Sequence, residues 1–412
     1  MIFFVFLRKI YSESGYKSAE VNFMNVLILT VSTGGGHGMA SEAIKEALEL
    51  RNPDTKTCII DTLRYINPAV DRLVVGGYLS AVRNTPAIYG KLYKMSETTE
   101  NIGEFSRKFN KLLSYGLCTL INEYKPSVIV CTHLFPLQMV SNLRDKGLID
   151  VPTAVVITDF VTHAIWNHRN ADAYIVAQEY MKREMMEMGI PGSIIHACGI
   201  PVLRRFLSRR DRNAVLKELG LDNRLTVLLM GGSLGYGEIF NAFTALMNCG
   251  RDMQIIAVTG TNAALKLRLE KAVKNDLSRK VRVFGYTGRI SEFMDASDII
   301  VTKPGGVTVS EALVKELPIF IISPIPGQEE KNAHFLVNNG VGVRVPDCGC
   351  IESVLHQIVD NPLRMRQLKE MARNLARPMA GDSAAEIIEK LADANPDKTK
   401  NLMLVPVTEK SF

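Results

Sequence analysis

Short, continuously apolar runs alternate with amphipathic stretches along most of the chain. "VLILT" (26–30) precedes "MASEAIKEALEL", "PSVIVCT" (126–132) precedes "LQMVSNLRDKG", "TAVVIT" covers 153–158, and "AYIVA" (173–177) precedes "YMKREMMEMG". Apolar runs of this length, each followed by a helical period, predict βαβ units around a parallel sheet buried on both faces. After the basic stretch Arg204 to Arg212 the grammar restarts with "LTVLLMGGSLG", "QIIAVTG", "VRVFGY", "ASDIIVTKPGG", "LPIFIISP" and "GVGVRVP". A second Rossmann-type sheet therefore begins near Leu225, and two doubly wound α/β halves imply a cleft between them. The predicted division is an N-terminal extension over 1–23, a first Rossmann-like domain over 24–200, a second over 201–391 and a polar tail over 392–412.

Composition narrows the class. The 412 residues are 47% hydrophobic and 22% charged, as expected of a globular protein with two cores, and no apolar run reaches the roughly 18 residues of a membrane span. In the opening "MIFFVFLRKI", Arg8 and Lys9 follow the apolar run and no small-residue cleavage site comes next, which fits a signal peptide badly. The seven cysteines are scattered and odd in number, and the C-x-C of Cys348 and Cys350 lacks a second pair, so reduced structural thiols in a cytoplasmic protein are expected. The net charge of +6 does not choose among partners. Its distribution is more informative: from Arg64 to Tyr115 there are eight Lys or Arg against four acids.

Three strand ends carry glycine clusters: Gly34, Gly35, Gly36 and Gly38; Gly231, Gly232 and Gly235; Gly305 and Gly306. Glycine permits positive φ and close backbone approach, and a following helix offers unpaired N–H groups to an anion. None of the clusters is a complete dinucleotide fingerprint or P-loop, which weakens hydride transfer and ATP hydrolysis. The third, "TKPGGVTVSEAL" (302–313), is the most specific. Its strand ends at Lys303, Gly305 and Gly306 turn the chain, and Thr308 and Ser310 open a helix with Glu311 in its first turn. Hydroxyl and amide donors suit a diphosphate, and a carboxylate suits the vicinal hydroxyls of a ribose.

With "STGGGHGMA", "TDFVTHAIW", "GIPV" plus "GGSLG", and "TKPGGVTVSEA" followed by "PIPGQEEKNA", the chain resembles, from about Met24 to Leu391, the monogalactosyldiacylglycerol synthase and processive diacylglycerol glucosyltransferase family. These are inverting glycosyltransferases of the GT-B fold, related to the peptidoglycan N-acetylglucosaminyl transferase. The resemblance implies transfer of a hexose, glucose favoured and galactose possible, from a UDP-sugar to diacylglycerol. It further implies Gly232 and Ser233 near the phosphates, Phe284 to Tyr286 beside the uracil, Thr308 and Ser310 on the diphosphate, and Glu311 on the ribose. Gln328, Glu329 and Asn332 would reach the sugar and phosphate side.

Inverting transfer needs a base for the acceptor hydroxyl, and histidine is the side chain best poised for that near neutral pH. Read alone, His37 is a helix cap, a phosphate donor or a base. Its place in the family's glycine-rich loop implies the base, next to Gly36 on the acceptor side. Asp159 would orient the base or the acceptor, and His163 and Trp166 would contact the acceptor. The two histidines of "HAIWNH" lack a matched carboxylate or Cys, and no D-x-D occurs anywhere, so no metal or other cofactor is expected.

Residues 64–97 mix apolar side chains with scattered Arg and Lys and read either as a helical layer over the sheet or as a docking surface on anionic lipid. A diacylglycerol acceptor favours the second, hence peripheral association with the inner face of the cell membrane, without nucleic acid as a partner and with the oligomeric state open. Alternatives of the same architecture are a UDP-N-acetylglucosamine-using transferase or epimerase, and a UDP-sugar sensor without turnover.

Overall fold

The computed structural model describes residues 24–84, 114–275 and 280–394. Two six-stranded sheets organise them, and every strand pairing in both is parallel. The first contains β1 (Asn25–Thr30), β2 (Lys56–Asp61), β3 (Val128–Cys131), β4 (Thr153–Val156), β5 (Ala173–Ile175) and β6 (Ile195–His196), in the order β2-β1-β3-β4-β5-β6. The second contains β7 (Thr226–Met230), β8 (Gln254–Val258), β9 (Val281–Phe284), β10 (Ile299–Thr302), β11 (Ile319–Ile321) and β12 (Gly342–Arg344), in the order β12-β11-β10-β7-β8-β9. In each sheet the order reverses beside its first strand, between β1 and β3 and between β7 and β10. Open parallel sheets bind ligands at the carboxyl ends of the strands at such a point.

The central strands are apolar on both faces because helices cover both. Val26, Leu27, Ile28 and Leu29 of β1 are fully buried, as are Val227, Leu228 and Leu229 of β7. Helix α1 (Gly35–Arg51) buries Ala40, Ala43, Ile44, Ala47 and Leu48 and turns Glu42 and Arg51 outward, the spacing of one helical face. Helix α2 (Leu134–Asp145) follows β3 and is capped by His133. Around the second sheet, helices α3 (Gly306–Val314) and α4 (Gln328–Asn338) start at the ends of β10 and β11.

The chain does not divide cleanly at the boundary drawn from sequence. Helix α5 (Ala380–Asp393) lies within the stretch assigned to the second domain, yet it packs on α1 and on β3 and β4 of the first sheet. Its buried face is Ala380, Ala384, Ala385, Ile388 and Ala392, whose small side chains allow close approach to Ala47 and Ile44. The returning helix ties the two halves together. In the sequence-predicted docking stretch 64–97, residues 68–84 form a helix with Leu73 73% exposed, and the remainder from 85 lies outside the described residues.

Candidate functional site

A cavity of about 460 Å³ opens between the carboxyl ends of the two sheets. The first domain supplies the loop after β1 with Gly36 and His37, and Thr158 and Asp159 after β4. The second supplies Gly232 and Ser233 after β7, Tyr286 after β9, Lys303 and Gly305 to Thr308 after β10, and Gln328 and Glu329 after β11.

Close backbone approach sets the narrow part of this cleft. A Cβ on Gly306 would stand 2.0 Å from the Thr158 carbonyl oxygen and 3.1 Å from the Asp159 Cα, so only glycine lets α3 meet the first domain there. A Cβ on Gly35 would stand 2.1 Å from Ser233 Oγ. In the first glycine cluster Gly35 therefore serves proximity, and none of the four takes a positive φ, whereas Gly232 and Gly235 do adopt φ of +70° and +62°.

His37 occupies the first turn of α1. Its Nδ1 lies 2.8 Å from the Thr132 carbonyl oxygen and 2.9 Å from Thr158 Oγ1. A carbonyl can only accept, so Nδ1 carries the hydrogen and donates it, leaving the Nε2 lone pair as the basic site. The backbone behind the ring is pinned by Ser41, whose hydroxyl donates to the His37 carbonyl at 2.9 Å. Burial lowers the His37 pKa below the ordinary histidine value, opposed by the Asp159 carboxylate and the bond to Thr132. The ring is thus neutral at neutral pH.

His133, which the sequence reading passed over, stands edge-on to His37 with ring centroids 4.7 Å apart. Its Nδ1 accepts the Phe135 N–H at 3.1 Å, and burial first, then the neighbouring His37, holds its pKa well below the usual range. The available signal was the pattern strand, histidine, helix in "VIVCTHLF", the same grammar as around His37.

The donor-side residues divide into two groups. Lys303 Nζ pairs with Glu329 Oε1 at 3.1 Å, while Glu329 Oε2 accepts the Ile325 N–H at 2.8 Å. Helix α3 has Gly305 as its N-cap with no side-chain cap, and its first residues, Gly306 to Thr308, line the cavity, where an anion would complement their unpaired N–H groups. Glu311 is only 7% exposed, on the second turn of this helix and not the first as the sequence suggested. Burial pushes its carboxyl up to about 8, with partial relief from Arg205. Tyr286, 67% exposed, forms a wall at the same end.

Five sequence-predicted contacts are not cavity walls. Ser310 Oγ donates to the Gly306 carbonyl at 2.9 Å, one turn back, which uses the hydroxyl inside the helix and aims it away from a diphosphate. Asn332 is fully buried: its amide nitrogen donates to Asp159 Oδ1 and the Pro304 carbonyl, both at 3.0 Å, and its oxygen accepts the Phe160 N–H at 3.0 Å. It joins the domains and does not reach toward a sugar. Phe284 packs on Phe293 with centroids 4.6 Å apart, leaving Tyr286 to represent its segment. His163 is 5% exposed and caps a short 3₁₀ turn, its Nδ1 accepting the Ile165 N–H at 3.1 Å. Trp166 is 8% exposed and sits in the first-domain core. The apolar character of "HAIW" is used for packing, so these two residues do not form an acceptor surface.

Asp159 does line the cavity, but both carboxylate oxygens accept hydrogen bonds from α4, Oδ2 from Gln328 Nε2 at 3.1 Å and Oδ1 from Asn332. It bridges the domains while its charge supports His37. Among the described residues, no group of three or more His, Cys, Asp or Glu is arranged to hold a metal ion.

Comparison with known proteins agrees with this geometry. Residues 37–202 match the monogalactosyldiacylglycerol (MGDG) synthase family model, and residues 226–391 match the glycosyltransferase family 28 C-terminal domain. The processive diacylglycerol beta-glucosyltransferase of Bacillus subtilis (strain 168) is 30% identical over 372 residues, covering 89% of this chain and 94% of that protein. The structure of Anabaena HepE in complex with UDP-glucose superposes with a TM-score of 0.54 at 14% identity, covering 90% of this chain and 99% of that one. The UDP-GlcNAc 2-epimerase of Neisseria meningitidis bound to UDP-GlcNAc gives a TM-score of 0.57 at 13% identity, covering 90% and 100%. At such identities the structural likeness establishes the GT-B fold alone.

Proposed function

Since this chain belongs to the processive diacylglycerol beta-glucosyltransferase family and is a UDP-sugar glycosyltransferase, we propose that it moves glucose from UDP-glucose to the free hydroxyl of diacylglycerol with inversion, His37 acting as the base. The observation that carries this reading is the hydrogen bond from His37 Nδ1 to the Thr132 carbonyl, which leaves Nε2 as the basic nitrogen at a cavity otherwise walled by nucleotide-type loops.

In this scheme Nε2 takes the proton of the acceptor hydroxyl as its oxygen attacks the anomeric carbon, and the bond to UDP breaks on the opposite face. The departing diphosphate is stabilised by the N–H groups at the start of α3 and by Lys303, which exchanges part of its pairing with Glu329 for phosphate. Those donors perform the task that a divalent ion has in metal-dependent transferases, so the reaction needs no metal. Thr132 and Thr158 keep the imidazole aligned, and the Asp159 charge stabilises the imidazolium that forms.

The acceptor is a membrane lipid, and no helix among the described residues is long and apolar enough to cross a bilayer. The protein then works as a peripheral enzyme at the inner face of the cell membrane, held through the basic region 64–111. Purified protein incubated with diacylglycerol in neutral and in anionic vesicles, with labelled UDP-glucose or UDP-galactose, tests both parts. Labelled glucosyl-diacylglycerol, formed faster on anionic vesicles and more slowly in high salt, is expected. Free sugar without glycolipid would contradict the transfer, galactolipid alone the choice of sugar, and equal rates on both vesicles the basic docking region.

A further inference from the structure

Arg205 stands apart from its neighbours in the linker between the sheets. Arg204 pairs with Asp382 at 3.7 Å, Arg209 with Glu316 at 2.7 Å, Arg210 with Glu218 at 2.6 Å and Arg212 with Asp298 at 3.0 Å. Each of those guanidiniums is engaged by an acid. Among the described residues, none accepts a hydrogen bond from the Arg205 side chain.

Its backbone is nevertheless well held. The Arg205 carbonyl accepts the Ser291 hydroxyl at 2.6 Å, and the adjacent Phe206 is buried in the core. The stem is therefore anchored, and the guanidinium, 5.8 Å from the centroid of the Phe206 ring, belongs to the cavity wall with its hydrogen-bond donors unused by the described residues. Nη1 comes within 3.6 Å of where a Cβ on Gly288 would stand, beside the loop of Tyr286 and Thr287. The guanidinium also acts electrostatically on Glu311. The loop of Tyr286 and Thr287, which the family resemblance sets beside the uracil, puts Arg205 at the nucleoside end of the cavity.

A guanidinium offers five donors in a rigid fork and no acceptor, so it suits carbonyl and ether oxygens of a base or sugar. A carboxylate accepts from ribose hydroxyls, and the pair would complement a uridine on both counts. We propose that Arg205 is a nucleotide-recognition residue that donates hydrogen bonds to the uridine moiety of the donor substrate. The proposal rests on the UDP-sugar reading and specifies a contact within it.

Calorimetric titration of UMP and of UDP into wild type, Arg205→Met and Arg204→Met tests it, with melting temperatures measured on all three. The expected result is that Arg205→Met weakens UMP and UDP by the same factor, roughly 10-fold or more, because hydrogen bonds from a charged group are among the strong ones. Its melting temperature should stay close to wild type, and Arg204→Met should bind both nucleotides normally. Donor KM should rise in Arg205→Met far more than kcat falls. Unchanged nucleotide affinity in Arg205→Met would overturn the assignment. So would a much larger loss for UDP than for UMP, which would place the guanidinium on the diphosphate, or equal losses in both arginine variants, which would make the effect one of linker stability. Failure of wild type to bind either nucleotide would instead remove the UDP-sugar reading, and the proposal with it.

Discussion

Glu311→Gln should stabilise the nucleotide-free protein while weakening its grip on nucleotide. The carboxyl is buried on α3, and desolvation lifts its pKa from 4.5 to about 8 despite Arg205. A folded pKa above the unfolded one means that the native state holds the extra proton between those two values. Stability therefore falls as pH rises through that window, and the cost is complete only above about pH 8. At 1.36 kcal/mol per unit, the gap amounts to about 5 kcal/mol at alkaline pH and about 3 kcal/mol at pH 7. Glutamine carries no charge to desolvate. Realising even a third of the alkaline figure would raise Tm by roughly 3–6 °C in domains of this size.

UDP should reverse the order. Ribose hydroxyls would donate to the ionised Glu311, so saturating UDP, at roughly 100 times its Kd, stabilises wild type by about 2.7 kcal/mol. The variant, with weaker affinity, gains less at the same concentration. Melting curves from pH 5 to 9, with and without UDP, check both halves. Superimposable wild-type and Glu311→Gln curves across that range would refute the argument that burial of this carboxylate costs stability for the sake of ribose binding.

Gly306→Ala should separate the domains locally, since its Cβ would meet the Thr158 carbonyl at 2.0 Å; glycolipid synthesis should fall at least 10-fold while the secondary structure of the full chain is kept, and an activity assay with far-UV circular dichroism will separate loss of the cleft from loss of the fold. Asn332→Ala removes the side chain that serves Asp159, Pro304 and Phe160 and leaves a buried N–H unpaired, so it should cost about 2–4 kcal/mol in denaturant unfolding. If helix N–H groups and Lys303 stabilise the leaving group as proposed, EDTA should leave the transfer rate nearly unchanged; loss of activity restored by manganese would contradict that.

The strands that build both sheets were legible because a parallel strand covered on two faces is apolar throughout. β2, "KTCIID", and the two-residue β6 lie at sheet edges, where Lys56, Thr57 and Asp61 or sheer brevity break the apolar signal. The cleft was legible through the glycine clusters and His37, which stand at strand ends. Spacing alone does not show which way a side chain on α3 or α4 points. Thr308 and Glu311 face the cavity while Ser310, between them, bonds back to its own helix. Asn332 closes contacts with residues more than 170 positions earlier, a pairing that no local pattern records. Arg205 escapes local patterns for the same reason, being placed by the path of a linker, whereas His133 does carry a local signal in the strand, histidine, helix order of "VIVCTHLF".

In the proposed reaction His37 Nε2 removes the acceptor proton. Proton transfer by a positioned base contributes roughly 10²- to 10⁴-fold, so His37→Ala should lower kcat for glycolipid formation by that factor while UDP affinity and Tm remain near wild type. The most direct measurement is single-turnover transfer from labelled UDP-glucose to diacylglycerol vesicles by wild type and His37→Ala, with UDP affinity and Tm determined on the same preparations. A variant that keeps near-normal turnover would contradict the account, as would one whose loss is explained entirely by weakened UDP binding.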